Sequence, residues 1–157
     1  MDVVPRRIDV YDGALPSGNS VALLNLLRLA QLTGNASYEE KASRMSRAFS
    51  AEVKRSPEGH TFLLAGVDFA VGPAYNVVLV GDMREQDTLD MLKALRRNYL
   101  PNMVISLRQP AKPGLGYEKV EGKATAYVCR GRVCMPPTNK VEKMLELLGV
   151  AQVGKEY

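Results

Sequence analysis

Apolar residues recur at helical spacing through the first half of the chain, then at both strand and helical spacing through the second. Val21 to Leu32 is almost continuously apolar, with Leu23, Leu24, Leu26, Leu27 and Leu29 inside it. Asn25, Arg28 and Gln31 fall three apart on one narrow polar stripe. Such a run predicts a helix enclosed by other helices or awaiting a partner. Ser17-Gly18-Asn19-Ser20 leads into it, and Gly34 supplies a stop because glycine accepts left-handed backbone angles. Ser37 and Glu40 read as a capping box opening a second helix, with Tyr38, Ala42, Met45, Phe49 and Val53 as its apolar stripe. Ser56-Pro57-Glu58-Gly59 ends it, and Thr61 to Val71 predicts a third, shorter helix closed by Gly72-Pro73. Residues 17–71 thus read as helices on short connectors, the pattern of antiparallel hairpins.

At Tyr75 the period changes. Asn76 to Val80, ended by Gly81-Asp82, is a β-branched run of the kind a buried strand shows. Residues 85–100 carry Leu89, Leu92, Leu95 and Tyr99 on one helical stripe, Pro101-Asn102 stops them, and Met103 to Leu107 predicts a second strand. Strand, helix and strand at this spacing form a βαβ unit, which predicts parallel pairing. Residues 109–123, with two prolines, three glycines and five lysines or glutamates, predict a long loop. Thr125–Cys129 and Arg132–Met135 read as a hairpin turned at Arg130-Gly131. A last helix carries Val141, Met144, Leu145 and Leu148 inward and stops at Gly149. The fold class is mixed α/β. Antiparallel helices over residues 1–73 precede a small sheet of three to four strands with two further helices over residues 74–157, packed as one compact unit.

Bulk composition narrows the function. A chain of 157 residues with 46% hydrophobic residues buries about two thirds of its unfolded surface, enough for a real core. Trp is absent and Phe scarce, so that core is mostly Leu, Val, Met and Tyr. The net charge of +4 comes from scattered pairs such as Arg6-Arg7, Lys54-Arg55 and Arg96-Arg97, interleaved with acids, which argues against a nucleic-acid partner. No stretch reaches the roughly 18 apolar residues of a membrane span, and the N-terminus lacks the pattern of a signal peptide. The expectation is a cytoplasmic protein without a membrane partner.

Three stretches together resemble one family: YDGALPSGNSVALLNLLRLAQLTG at 11–34, VVLVGD at 77–82 and TAYVCRGRVCMPP at 125–137. They are similar, in order and spacing, to the C-terminal end of the YyaL-like, spermatogenesis-associated thioredoxin-domain-containing proteins. The resemblance implies the last hairpins of a six-hairpin helical barrel of the glycosidase and sugar-epimerase type, followed by a small α/β segment. The family's thioredoxin-like domain and its Cys-x-x-Cys motif are not in this sequence. On that basis the chain is expected to be a split-gene product, a remnant or a stand-alone descendant.

Three constellations carry candidate chemistry. Asp12, Ser17, Asn19 and Ser20 place a carboxylate, two hydroxyls and an amide at a helix start, where they suit a polyol. The resemblance puts this stretch on the ligand-facing side of the barrel. The competing reading is capping of the helix by Ser17 or Asn19, with Asp12 in a turn. Sugar chemistry also needs a second carboxylate facing the first, and none is evident. Cys129 and Cys134 fall opposite each other if residues 130–133 form the turn. Flanking Arg130 and Arg132 favour thiolate, so a reversible redox pair stands beside the reading of two small buried hydrophobes. Gly81-Asp82 sits where α/β folds bind ligands, but one glycine without a phosphate-binding motif favours the reading that the pair ends the strand and begins the helix. His60 is the single histidine, which argues against a metal site and suits a helix start or the surface. No cofactor is implied. The expected function is that of a non-catalytic accessory module docking on a protein partner or a second copy. The alternatives are a sugar-binding or carbohydrate-active protein and a thiol-redox protein.

Overall fold

The computed structural model of the chain describes residues 9–109, 116–131 and 133–150, which form five α-helices and a four-stranded mixed sheet. The Arg6-Arg7 pair, the middle of the long loop and Arg132 lie outside the described residues. The chain divides into two compact units, Met1–Gly72 and Pro73–Tyr157.

The first unit holds α1 (Gly18–Thr33), α2 (Ala36–Arg55), a short 3₁₀ turn at Pro57–Gly59 and α3 (Thr61–Val71). Ser17 caps α1, its side chain accepting from the Ser20 amide, and Gly34 closes the helix at φ 67°. The start of α2 differs from the expected capping box. Asn35, two residues ahead of Ser37, is the cap, and its Oδ1 accepts from the Ser37 amide at 3.0 Å. With the helix already begun at Ala36, Ser37 and Glu40 no longer hold the reciprocal positions a capping box requires. The core is Val10, Leu23, Ala42 and Leu63, against which Leu26, Leu27, Met45, Phe49, Val53 and Val67 pack half-buried. The α2 stripe is therefore the predicted one, but only Ala42 along it is fully enclosed.

In the second unit β1 (Tyr75–Val80) pairs parallel with β2 (Met103–Arg108) through the intervening α4 (Gln86–Arg97), as the βαβ spacing predicted. β3 (Thr125–Arg130) runs antiparallel to β1, and β4 (Val133–Cys134) antiparallel to β3, giving the order β2-β1-β3-β4. α5 (Val141–Leu147) follows. Register places Val77 opposite Val128 and Leu79 opposite Ala126, and this face packs with Met91, Leu92 and Leu95 of α4 and Met144 of α5. On the other face Tyr127 Oη donates to the Glu118 carbonyl, and Thr125 Oγ1 accepts from the Val120 amide at 2.7 Å. Residues 117–120 are thereby tethered to that face, with the Tyr117 ring edge-on to Tyr127 at 4.8 Å. Val77 to Val80 are buried on both faces, which is why the strand reads as an unbroken apolar run rather than an alternating one.

The junction of β1 and α4 is set by contact. A β-carbon on Gly81 would stand 2.2 Å from Thr88 Oγ1, and Thr88 is itself buried on α4. Gly81→Ala should therefore destabilise the second unit by about 1–3 kcal/mol, the usual range for overpacking. Combining it with Thr88→Ala should recover part of that loss. Urea unfolding of the two single variants and the double variant measures the coupling, and additive losses would refute the steric account.

Candidate functional site

The amides at the start of a helix have no partners within it. In α3 the residue at the capping position, His60, provides no side-chain cap. Asp12 does so instead from 50 residues upstream: its Oδ2 accepts from the amides of Phe62 at 2.8 Å and Leu63 at 3.0 Å. Its Oδ1 accepts from the Ser17 amide at 2.8 Å, and the Asp12 amide donates to the Gly59 carbonyl at 2.7 Å. One carboxylate thus joins the approach to α1 with the start of α3. Ser17 and Ser20 complete the cluster, their hydroxyl oxygens 2.8 Å apart, and Ser20 is fully buried. Asn19 faces elsewhere and donates to the Asp9 carbonyl at 2.7 Å.

Asp12 is 8% exposed. Burial alone raises its carboxyl, but the amides of Ser17, Leu63 and Phe62 and the Ser20 hydroxyl outweigh that penalty and hold it below its ordinary value. The carboxylate's acceptor capacity is spent inside the fold, as the capping reading requires. Of the four predicted residues, the structure brings Asp12, Ser17 and Ser20 into one network and ties Asn19 to a separate carbonyl.

His60 lies at the helix start and is buried, at 3% exposure, rather than on the surface. Its Nδ1 lies 2.7 Å from the Gly59 carbonyl, which can only accept, so Nδ1 carries the proton. Nε2 is buried without a partner among the described residues. Nothing local in the sequence signals this burial, because it follows from the packing of α3.

The remaining candidates belong to the second unit. Asp82 is closed on itself: Oδ1 accepts from the Arg84 amide at 2.9 Å, and Oδ2 pairs with the Arg84 guanidinium at 2.5 Å. The Arg84 side chain and amide hold its carboxyl down at about 2. With Gly81 fitted against Thr88, this turn ends a strand and begins a helix, and it carries no phosphate-binding glycine motif. Sequence reasoning overlooked Asp87, whose Oδ2 accepts from the Ala124 amide and Oδ1 from that of Thr88, both at 2.7 Å. An acid in the first turn of α4 was the available signal, but its partner is 37 residues away. Cys129 and Cys134 are directly paired in the β3–β4 register and joined as a disulfide. Among the described residues no group of three or more His, Cys, Asp or Glu side chains could hold a metal ion, and no helix is long and apolar enough to cross a membrane.

Neither a family model nor a solved structure matches the chain. Among curated proteins it is 31% identical to human spermatogenesis-associated protein 20 over 155 residues, which cover 92% of this chain and 20% of the human one. It is 32% identical to the Rattus norvegicus counterpart over 151 residues, covering 90% and 19%. The chain is homologous to the C-terminal part of spermatogenesis-associated protein 20, of the thioredoxin-domain-containing family. An uncharacterised protein of Caenorhabditis elegans is 28% identical over 152 residues. The chain spans about a fifth of the length of these relatives.

Asp12→Ala leaves three backbone amides without their acceptor and should cost roughly 2–3 kcal/mol, the scale of charged hydrogen bonds lost from a buried site. The pH dependence follows from the lowered carboxyl. Its contribution is complete above the unfolded value near 3.9 and disappears as the pH falls through the lower folded value. Hydrogen exchange at the Phe62 and Leu63 amides should accelerate as pH is lowered through that window, beyond the intrinsic pH effect. Asp12→Asn should show no such additional change, and identical profiles would refute the assignment.

Proposed function

We propose that the chain is a non-catalytic accessory module whose helical unit docks against further helices of a larger protein of the kind its relatives are. The observation that carries this reading is the outer face of α1. Val21, Leu29 and Leu32 retain 37%, 39% and 38% of their surface, and their spacing of eight and then three puts them on one face. Arg28 lies among them, half-buried, with its Nε enclosed and without an acceptor among the described residues. The matching partner surface is apolar, with a carbonyl or carboxylate opposite Arg28. Met45, Phe49 and Val53 of α2, also half-buried, extend the need for cover. Homology to a segment that makes up about a fifth of each relative supports the same reading, because the relatives contain additional chain able to supply such a wall.

The sugar-binding alternative draws no support from the Asp12 cluster, whose carboxylate is already satisfied by backbone amides. A chimera in which this chain replaces the matched stretch of the human relative tests the docking. Leu29→Asp with Leu32→Asp should lower the chimera's melting temperature by several degrees, because charge is then forced against an apolar wall. In the isolated chain the same pair should cost clearly less, since both positions already keep more than a third of their surface in water. Equal effects in the two settings would mean that the face stays solvated and that the module docks elsewhere or not at all.

A further inference from the structure

We infer that the Cys129–Cys134 bridge is a thiol–disulfide exchange site, opened by a protein dithiol that attacks the outer sulfur of Cys134. The inference does not depend on how α1 is covered. It stands on the place of the bridge in the sheet. β4 is two residues long and forms the outer edge, paired with β3 alone. The Met135 amide donates to the Val128 carbonyl at 2.9 Å, next to the Cys129–Cys134 pair. In an antiparallel ladder this makes the cysteines a non-hydrogen-bonded pair, the position at which opposed side chains come closest. A bridge across six residues closes a very short loop, so it removes little entropy from the unfolded chain. Its main local effect is to hold β4 onto the sheet.

The two sulfurs belong to unlike residues. Cys129 is 5% exposed on β3, whereas Cys134 is exposed on the edge strand beside Val133, which is 71% exposed. Attack by an external thiolate is therefore directed to Cys134. The new bond forms between the attacking sulfur and Cys134 Sγ, the Cys129–Cys134 bond breaks, and Cys129 leaves as a thiolate that takes up a proton. The second thiol of the dithiol then attacks its own partner sulfur in the mixed disulfide and releases Cys134, which is protonated in turn. Two electrons and two protons pass to the bridge, and the dithiol becomes a disulfide. The released β4 keeps only its few backbone hydrogen bonds.

Two measurements test this. Oxidised chain is mixed with thioredoxin whose resolving cysteine is replaced by serine, and the trapped adduct is mapped by mass spectrometry. The adduct is expected on Cys134 in at least tenfold excess over Cys129; a Cys129 adduct, an even split or no adduct overturns the proposal. Single variants give an independent arm. With an aromatic disulfide reagent, Cys134 in Cys129→Ser should be labelled at least tenfold faster than Cys129 in Cys134→Ser. Equal rates overturn it as well. The double variant Cys129→Ser/Cys134→Ser should keep the circular dichroism spectrum of the parent and show faster amide exchange at Met135. Loss of the folded spectrum would instead make the bridge a structural staple and overturn the proposal.

Discussion

The first turn of α3 has amides that its own capping residue leaves unsatisfied, and the helical unit is organised around the remote carboxylate that satisfies them. Asp12 accepts there and at the Ser17 amide, so the approach to α1, the cap of α1 and the start of α3 share one anion. The second unit uses the same device. Asp87, at the start of α4, accepts from its neighbour Thr88 and from Ala124, which brings the approach to β3 onto the helix terminus. An anion near a helix N-terminus is favoured by the helix dipole as well as by the hydrogen bonds. Each carboxylate therefore stabilises a helix and selects a chain path at once. Both are held below their ordinary values by those contacts: at Asp87 the Ala124 amide is the leading cause, and at Asp12 the amides overcome the cost of burial.

This device marks where sequence reading succeeded and where it stopped. Helices α1 and α3 were legible because their signals are local: Ser17 before an apolar run, Gly34 and Gly72 after, Val71 as the last periodic residue. The strands were legible from their β-branched runs, and the pairing of β1 with β2 from the single helix between them. The start of α2 was misplaced because Asn35 and Ser37 are both good caps, and only the helix already formed at Ala36 decides between them. Asp12 was noticed, but as a ligand-binding candidate or a turn residue. Its role as a cap for α3 depends on a tertiary contact across 51 residues that no local pattern encodes. The burial of His60 and the fit of Thr88 against Gly81 were invisible for the same reason. The pairing of Cys129 with Cys134 was legible, since a tight turn at Gly131 fixes the register over so short a distance.

The two units differ in how fully they cover their own apolar residues. In the sheet unit, β1 is enclosed from both sides: α4 and α5 pack on one face, and on the other Val78 and Val80 are buried, with Tyr117 packed edge-on to Tyr127 beside them. In the helical unit, Leu23 and Leu24 are buried on one side of α1 while Val21, Leu29 and Leu32 stay open on the other. A helix apolar on most sides needs neighbours on most sides. Two helices and a short turn provide them on one side only. The same imbalance appears in α2, where a full apolar stripe has one fully buried member. Scattered exposed apolar residues are ordinary on a protein surface, but Val21, Leu29 and Leu32 on one face of a helix, around an enclosed guanidinium nitrogen, form a surface of defined chemistry.

The sheet's edge poses the opposite problem. An outer strand exposes unpaired backbone groups, and a short one held by few bonds is easily displaced. β4 has two residues in the ladder, and a covalent link to β3 holds it as well. The core formed by Val77, Leu79, Met91 and Met144 does not involve that link. The separation matters physically: a bond whose loss left the core intact would change the edge of the sheet without unfolding the unit. The residues that build this core are therefore distinct from the two bridged cysteines, of which Cys129 is buried on β3 and Cys134 is exposed on β4.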